Sequence, residues 1–195
     1  MKMNRLESGL AVASVFLSLV SVAVTARSDD RPSLKSGNGI EFSEFKGYDA
    51  WQVIAPSQPD DAGGCGSSPA PGCIKAIVGN PTMIKAYKDG IPANGKPVPD
   101  GAKMAKIEWK KSTNPSSPYA ITVPGTLMEI SFMVKDSKRF RDTNGWGYAT
   151  FNYDAKTDKF SAATNDPLLA KNKCHKCHTA GAGGRDFVFT SYAKR

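Results

Sequence analysis

Gly125-Thr126-Leu127-Met128-Glu129-Ile130-Ser131-Phe132-Met133-Val134 decides the fold class. Met128, Ile130, Phe132 and Val134 recur at every second position, the period of a β-strand with one face against a core. Upstream, residues 102–110 alternate in the same way. Ala105, Ile107 and Trp109 fall on one face and Met104, Lys106 and Glu108 on the other. Downstream, residues 147–153 read as a third strand, and residues 154–158 turn the chain into Phe160. Ile74-Lys75-Ala76-Ile77-Val78-Gly79 is a further short apolar strand.

The helices between these strands are short. Asn80 as N-cap and Pro81 in the first position predict a helix over 82–89, stopped by Gly90. Phe42, Phe45, Tyr48 and Trp51 are spaced by three and predict one face of a short helical segment packed into the core. Residues 136–140 predict a helical turn. A final helix is capped by Asp166, has Pro167 in its first turn and Leu168 and Leu169 as buried residues, and ends in the glycines of 181–184. Phe187-Val188-Phe189 is a last strand or packing segment. With 18 glycines and 13 prolines, many turns are expected. Residues 27–195 show no repeat and no second boundary, and are expected to form a single α+β domain.

Residues 1–26 read differently. Lys2 and Arg5 precede an apolar run of 15 residues from Leu10 to Val24, and Val24-Thr25-Ala26 has the small residues of a cleavage site. The run is short for a membrane span, which needs about 20 residues. The reading is a signal peptide cleaved before Arg27, with a periplasmic product; the alternative is an uncleaved anchor. Without the segment the formal charge is +7, against +8 for the whole chain. The lysines are scattered, so this is a solvated basic surface able to steer an acidic partner, and no nucleic-acid partner is expected.

The cysteines number 4. Cys65 and Cys73 bracket a Gly/Ser/Pro loop, and in an oxidising compartment a structural disulfide between them is expected, two free thiols being the alternative. The other two lie in Cys174-His175-Lys176-Cys177-His178, a Cys-x-x-Cys-His segment carried by the final helix. This is the attachment signature of c-type haem. Two thiols one helical turn apart can each add to a vinyl group of one porphyrin, and the adjacent imidazole of His178 then binds the iron. A thioredoxin-like site would sit in a βαβ unit, which is absent from the pattern, and a zinc site would need a fourth ligand.

The rest of the chain bounds the other side of the iron. The only other histidine, His175, lies between the attachment cysteines and is held off the iron axis. No methionine follows Cys174; Met104, Met128 and Met133 lie upstream in strand patterns, and one of them as axial ligand would make an electron carrier. The economical reading is one covalent haem c, five-coordinate, with an open face for a small ligand.

Several stretches resemble the cytochrome P-460 family, which includes the β-sheet type of cytochrome c′. They are Asp100-Gly101-Ala102-Lys103-Met104-Ala105-Lys106, Val134-Lys135-Asp136-Ser137-Lys138-Arg139-Phe140, Gly145-Trp146-Gly147-Tyr148, the Cys174–His178 motif, and Asp186-Phe187-Val188-Phe189-Thr190. The resemblance spans about residues 42–192. It implies a mainly antiparallel sheet with a few helices, a homodimer, and a five-coordinate haem with His178 as proximal ligand. In hydroxylamine-oxidising members a lysine bonds to the porphyrin, and the matching residue is Lys106. The strand pattern alone favours a solvated strand lysine at Lys106. Lys103, three positions earlier, must point to the opposite face. A distal carboxylate would serve as proton acceptor. Glu108 and Asp166 qualify by position only, and Asp166 is better explained as a cap.

Two functions follow. One is oxidation of hydroxylamine or conversion of nitric oxide, with electrons passed to a small redox partner. The other is binding of nitric oxide or carbon monoxide without turnover.

Overall fold

The computed structural model of the chain describes residues 34–59 and 72–192. The expected signal peptide and Cys65 lie outside these residues. Among the described residues six strands form one antiparallel meander in chain order: β1 (Gln52–Ser57), β2 (Cys73–Gly79), β3 (Lys103–Thr113), β4 (Thr122–Lys135), β5 (Trp146–Asp154) and β6 (Lys159–Ala162). The expected strands are present, except that residues 187–189 form no strand and serve as a packing segment through the buried Val188. The helix after β2, α1 (Pro81–Lys88), begins where Asn80 caps it, the Asn80 side chain accepting from the Met83 N–H at 3.0 Å.

The structure departs from the sequence pattern at three places. The 42–51 aromatics are not one helical face: two 3-10 helices (Phe42–Phe45 and Tyr48–Ala50) are separated by Gly47 at φ 82°, and β1 follows. β3 and β4 run past the alternating stretches 102–110 and 125–134, because Ser112 pairs with Val123 and Thr113 with Thr122. Leu168, expected inside, is 55% exposed. In the final helix His175 and Ala182 are buried, and Ala170 and Cys174, one turn apart, pack partly buried against the apolar cluster. That helix is π-helical over Ala170–His175 and α-helical in α2 (Lys176–Ala182). Asp166 caps only the turn that leads into it, accepting from the Leu168 N–H at 2.8 Å, and the helix's own N-cap, Leu169, has no side-chain cap.

Both faces of the sheet are covered. On one, Val78, Ala105, Ile130, Phe132 and Phe151 pack under the 3-10 helices, with Phe45 stacked on Phe132 at 4.0 Å between ring centroids. Full burial of a side chain such as Phe132 contributes about 1.5–3 kcal/mol. The other face is divided. At one end Met104, Trp146 and Tyr148 pack against α1 and the C-terminal segment through Ala170, Cys174 and Val188. Toward the other end the same face turns polar, with Lys75 on β2, Lys106 and Glu108 on β3, Glu129 and Ser131 on β4, and Thr150 on β5. The strand register sets these side by side: Lys75 opposite Glu108, Glu108 opposite Glu129, and Ser131 opposite both Lys106 and Thr150.

Candidate haem site

The motif lies across the junction between the π-helical turns and α2, so β5 and the C-terminal loop set its geometry. His178 donates from Nδ1 to the carbonyl oxygen of Phe187 at 2.7 Å. A carbonyl can only accept, so the proton sits on Nδ1 and the Nε2 lone pair is left for a metal. Burial lowers the His178 pKa, the Phe187 carbonyl opposing, which keeps the ring neutral as ligation requires. His175 is occupied on both nitrogens: the Tyr148 hydroxyl lies 3.2 Å from Nδ1 and the Asn144 amide oxygen 3.0 Å from Nε2. It pins the helix to β5 and to the β4–β5 turn.

Cys174 is half-buried and Cys177 exposed, and both are free thiols. Burial pushes the Cys174 thiol up, while the Lys106 charge pulls the other way. Lys106 also lowers His178, so its ammonium bears on the motif. Lys103 lies on the opposite face, over the Phe45 ring at 5.4 Å. Among the described residues no group of three or more His, Cys, Asp or Glu gathers into a metal cage. Met104 and Met133 belong to the apolar cluster beneath the motif, and Met128 falls at a register shift in β4.

Lys106 is held between two carboxylates, 3.1 Å from Glu108 Oε2 and 3.3 Å from Glu129 Oε1. Lys75 reaches Glu108 from the other side at 3.6 Å. Glu108 is fully buried, and neither of its oxygens is aligned for a hydrogen bond. Ser131 donates to Glu129 at 3.3 Å and shares a 3.0 Å hydrogen bond with Thr150. Of the two carboxylates considered from sequence, Glu108 is at the lysine and Asp166 is an exposed cap.

The sequence reading passed over Glu129, Lys75, Tyr148, Asn144 and the Phe187 carbonyl. Glu129 and Ser131 were legible as the polar half of an otherwise apolar alternation; the others carry no local signal.

A family model, Cytochrome P460, matches residues 45–190. The chain belongs to the cytochrome P460 family. Comparison with curated proteins returns no match. Membership makes this a c-type haem protein, and the residues present fit that group. Two unpaired thiols stand one turn apart, and a neutral imidazole beside them has its Nε2 unengaged. The mostly antiparallel sheet with a C-terminal helix is the architecture that the cytochrome P460 resemblance implied.

Proposed function

We propose that this cytochrome P460 protein is an exported mono-haem c-type cytochrome that oxidises hydroxylamine or converts nitric oxide and passes the electrons to a small redox partner. Cys174 and Cys177 attach one haem, His178 is the axial ligand, and Lys106 is the residue that bonds to the porphyrin. When bound, the haem supplies an iron position for the substrate nitrogen and a path for electrons. The observation that carries the reading is Lys106, presented on the motif's side of the sheet between Glu108 and Glu129.

The chain's own residues have separate tasks. His178 keeps its proton on Nδ1 and offers Nε2. His175 anchors the helix. Glu108 and Glu129 are bases within reach of the lysine, able to accept protons released as a nitrogen substrate is oxidised. A disulfide-bonded Cys73, with Cys65 as its expected partner, suits a periplasmic location after removal of residues 1–26. The product would act as a homodimer off the membrane, without a nucleic-acid partner.

A specific observation favours a second reading. Lys106 is an ammonium paired to two carboxylates, whereas bonding to the porphyrin requires a free amine. If the lysine stays paired, the protein binds nitric oxide or carbon monoxide without turnover. The absorption spectrum separates the two. A strongly red-shifted Soret band, lost in Lys106→Met, together with hydroxylamine turnover supports the oxidoreductase. An ordinary c-type Soret band without turnover, with gas uptake by the ferrous protein, replaces it with the gas binder.

A further inference from the structure

Two segments of the family resemblance, Val134–Phe140 and Asp186–Thr190, have no role in the haem chemistry above, yet the fold joins them. Lys135, at the end of β4, is 6% exposed, and its ammonium makes three contacts: Asp186 Oδ1 at 3.0 Å, Asp186 Oδ2 at 3.0 Å and the Asn144 carbonyl at 2.9 Å. It also lies over the Trp146 ring at 5.0 Å. Asp186 accepts in addition from the Val98 N–H at 2.8 Å. All three ammonium protons are therefore matched, and the Asp186 carboxylate is gripped from two sides.

The consequence lies one residue further on. Asp186 has φ 45° and Phe187 φ 64°. Two consecutive non-glycine residues in the left-handed region are disfavoured by the Cβ–carbonyl contact and persist only where surrounding contacts hold them. The Phe187 carbonyl that fixes the His178 proton belongs to this pair. The Phe187 N–H is bonded to the Ala182 carbonyl at 2.9 Å, and that contact is with α2 itself. The Tyr87 hydroxyl holds the Thr190 carbonyl at 2.8 Å, beyond the turn. Phe187 and Val188 pack on the apolar cluster, and Asp186 supplies the turn's charged tie to the sheet. Lys135 also holds the Asn144 backbone, while the Asn144 side chain meets His175. Supports of both motif histidines therefore converge on one buried lysine.

We propose that Lys135 and Asp186 are positioning residues for the proximal ligand. The ion pair holds the strained turn at Asp186–Phe187 so that the Phe187 carbonyl stays on His178 Nδ1–H, which strengthens the basicity of Nε2 toward iron. The inference rests on His178 being the iron ligand.

The test is the iron–histidine stretch of the ferrous holoprotein by resonance Raman, with the midpoint potential measured alongside. Asp186→Asn keeps size and an acceptor for Val98 but removes the charge that Lys135 grips. Its expected signature is a lower stretching frequency and a higher potential. Lys135→Gln is expected to shift both readouts in the same directions, and serves should Asp186→Asn not fold. Phe132→Leu, on the opposite face, supplies a loss of stability without touching the turn and is expected to leave the frequency in place. An unmoved frequency and potential in the Lys135 and Asp186 variants overturns the positioning role while leaving His178 as ligand. The absence of any iron–histidine mode in the wild type removes the ligand assignment and the inference with it.

Discussion

Replacing Glu108 by Gln keeps its volume and removes one charge from the cluster of Lys75, Lys106, Glu108 and Glu129. In the native chain its carboxylate is fully buried, with Lys106 3.1 Å and Lys75 3.6 Å away. The Lys75 and Lys106 side chains are 14% and 32% exposed, so little solvent screens them from each other once Glu108 is neutral. Breaking a buried pair by removing one partner costs about 3–5 kcal/mol. The partial exposure of Lys106 places the expectation near the lower end, about 3 kcal/mol. That corresponds to a fall in Tm of roughly 6–12 °C for a domain of this size.

The loss should depend on pH. Burial already lowers the Lys75 pKa, the Lys106 charge adds to this, and Glu108 opposes it. Glu108→Gln removes the opposing influence and lowers it further. Between the folded pKa of Lys75 and its unfolded value of 10.5 the unfolded chain binds more protons, so stability rises with pH there. The variant's deficit is therefore largest near pH 7 and shrinks toward pH 10. Denaturant unfolding of the holoprotein at both pH values measures it. A deficit under about 1 kcal/mol at pH 7, or one that does not change with pH, would refute the argument that Glu108 is the counter-charge of both lysines.

Phe132→Ala, which empties the stack on Phe45, should cost about 3–5 kcal/mol in the same assay. Ser137 holds the Asp100 carboxyl below the usual carboxylate range through its hydroxyl and N–H. Burial would raise Glu44, but the hydrogen bonds from Arg139 and Glu41 and the Arg139 and Lys103 charges outweigh it and keep the pKa low. Stability from both groups is present above their unfolded values and is lost as pH falls through the folded ones. The gap between wild type and Ser137→Ala should therefore close below about pH 4; a gap persisting at pH 2 would contradict it. Thiol titration of the denatured holoprotein should find no free thiol before reduction and two after it, released by Cys73 and Cys65; two before reduction would rule out the disulfide.

What was legible in the sequence had a local period or a contiguous motif. β3 and β4 showed because each alternates over many residues, and the attachment motif because its three groups are adjacent in the chain. β1 was hidden. Val53-Ile54-Ala55-Pro56 is short, carries a proline and follows aromatics spaced by three. Pro56 is tolerated because β1 is an edge strand, where the missing N–H need not face a partner. Of the four-charge cluster, only the sheet register brings Lys75 and Glu129 to Glu108, and register is a property of pairing between distant segments. The Phe187 carbonyl left no signal because a backbone atom has no side-chain signature. Its importance comes from the φ values of 45° and 64° at the turn.

His178 is expected to be the iron's single protein ligand, with the other side left open. The absorption spectrum of the purified holoprotein, ferric and ferrous, before and after carbon monoxide, tests it most directly. A five-coordinate spectrum in both states, with uptake of carbon monoxide by the ferrous protein, is the expected result. A six-coordinate ferrous spectrum that ignores carbon monoxide would contradict it.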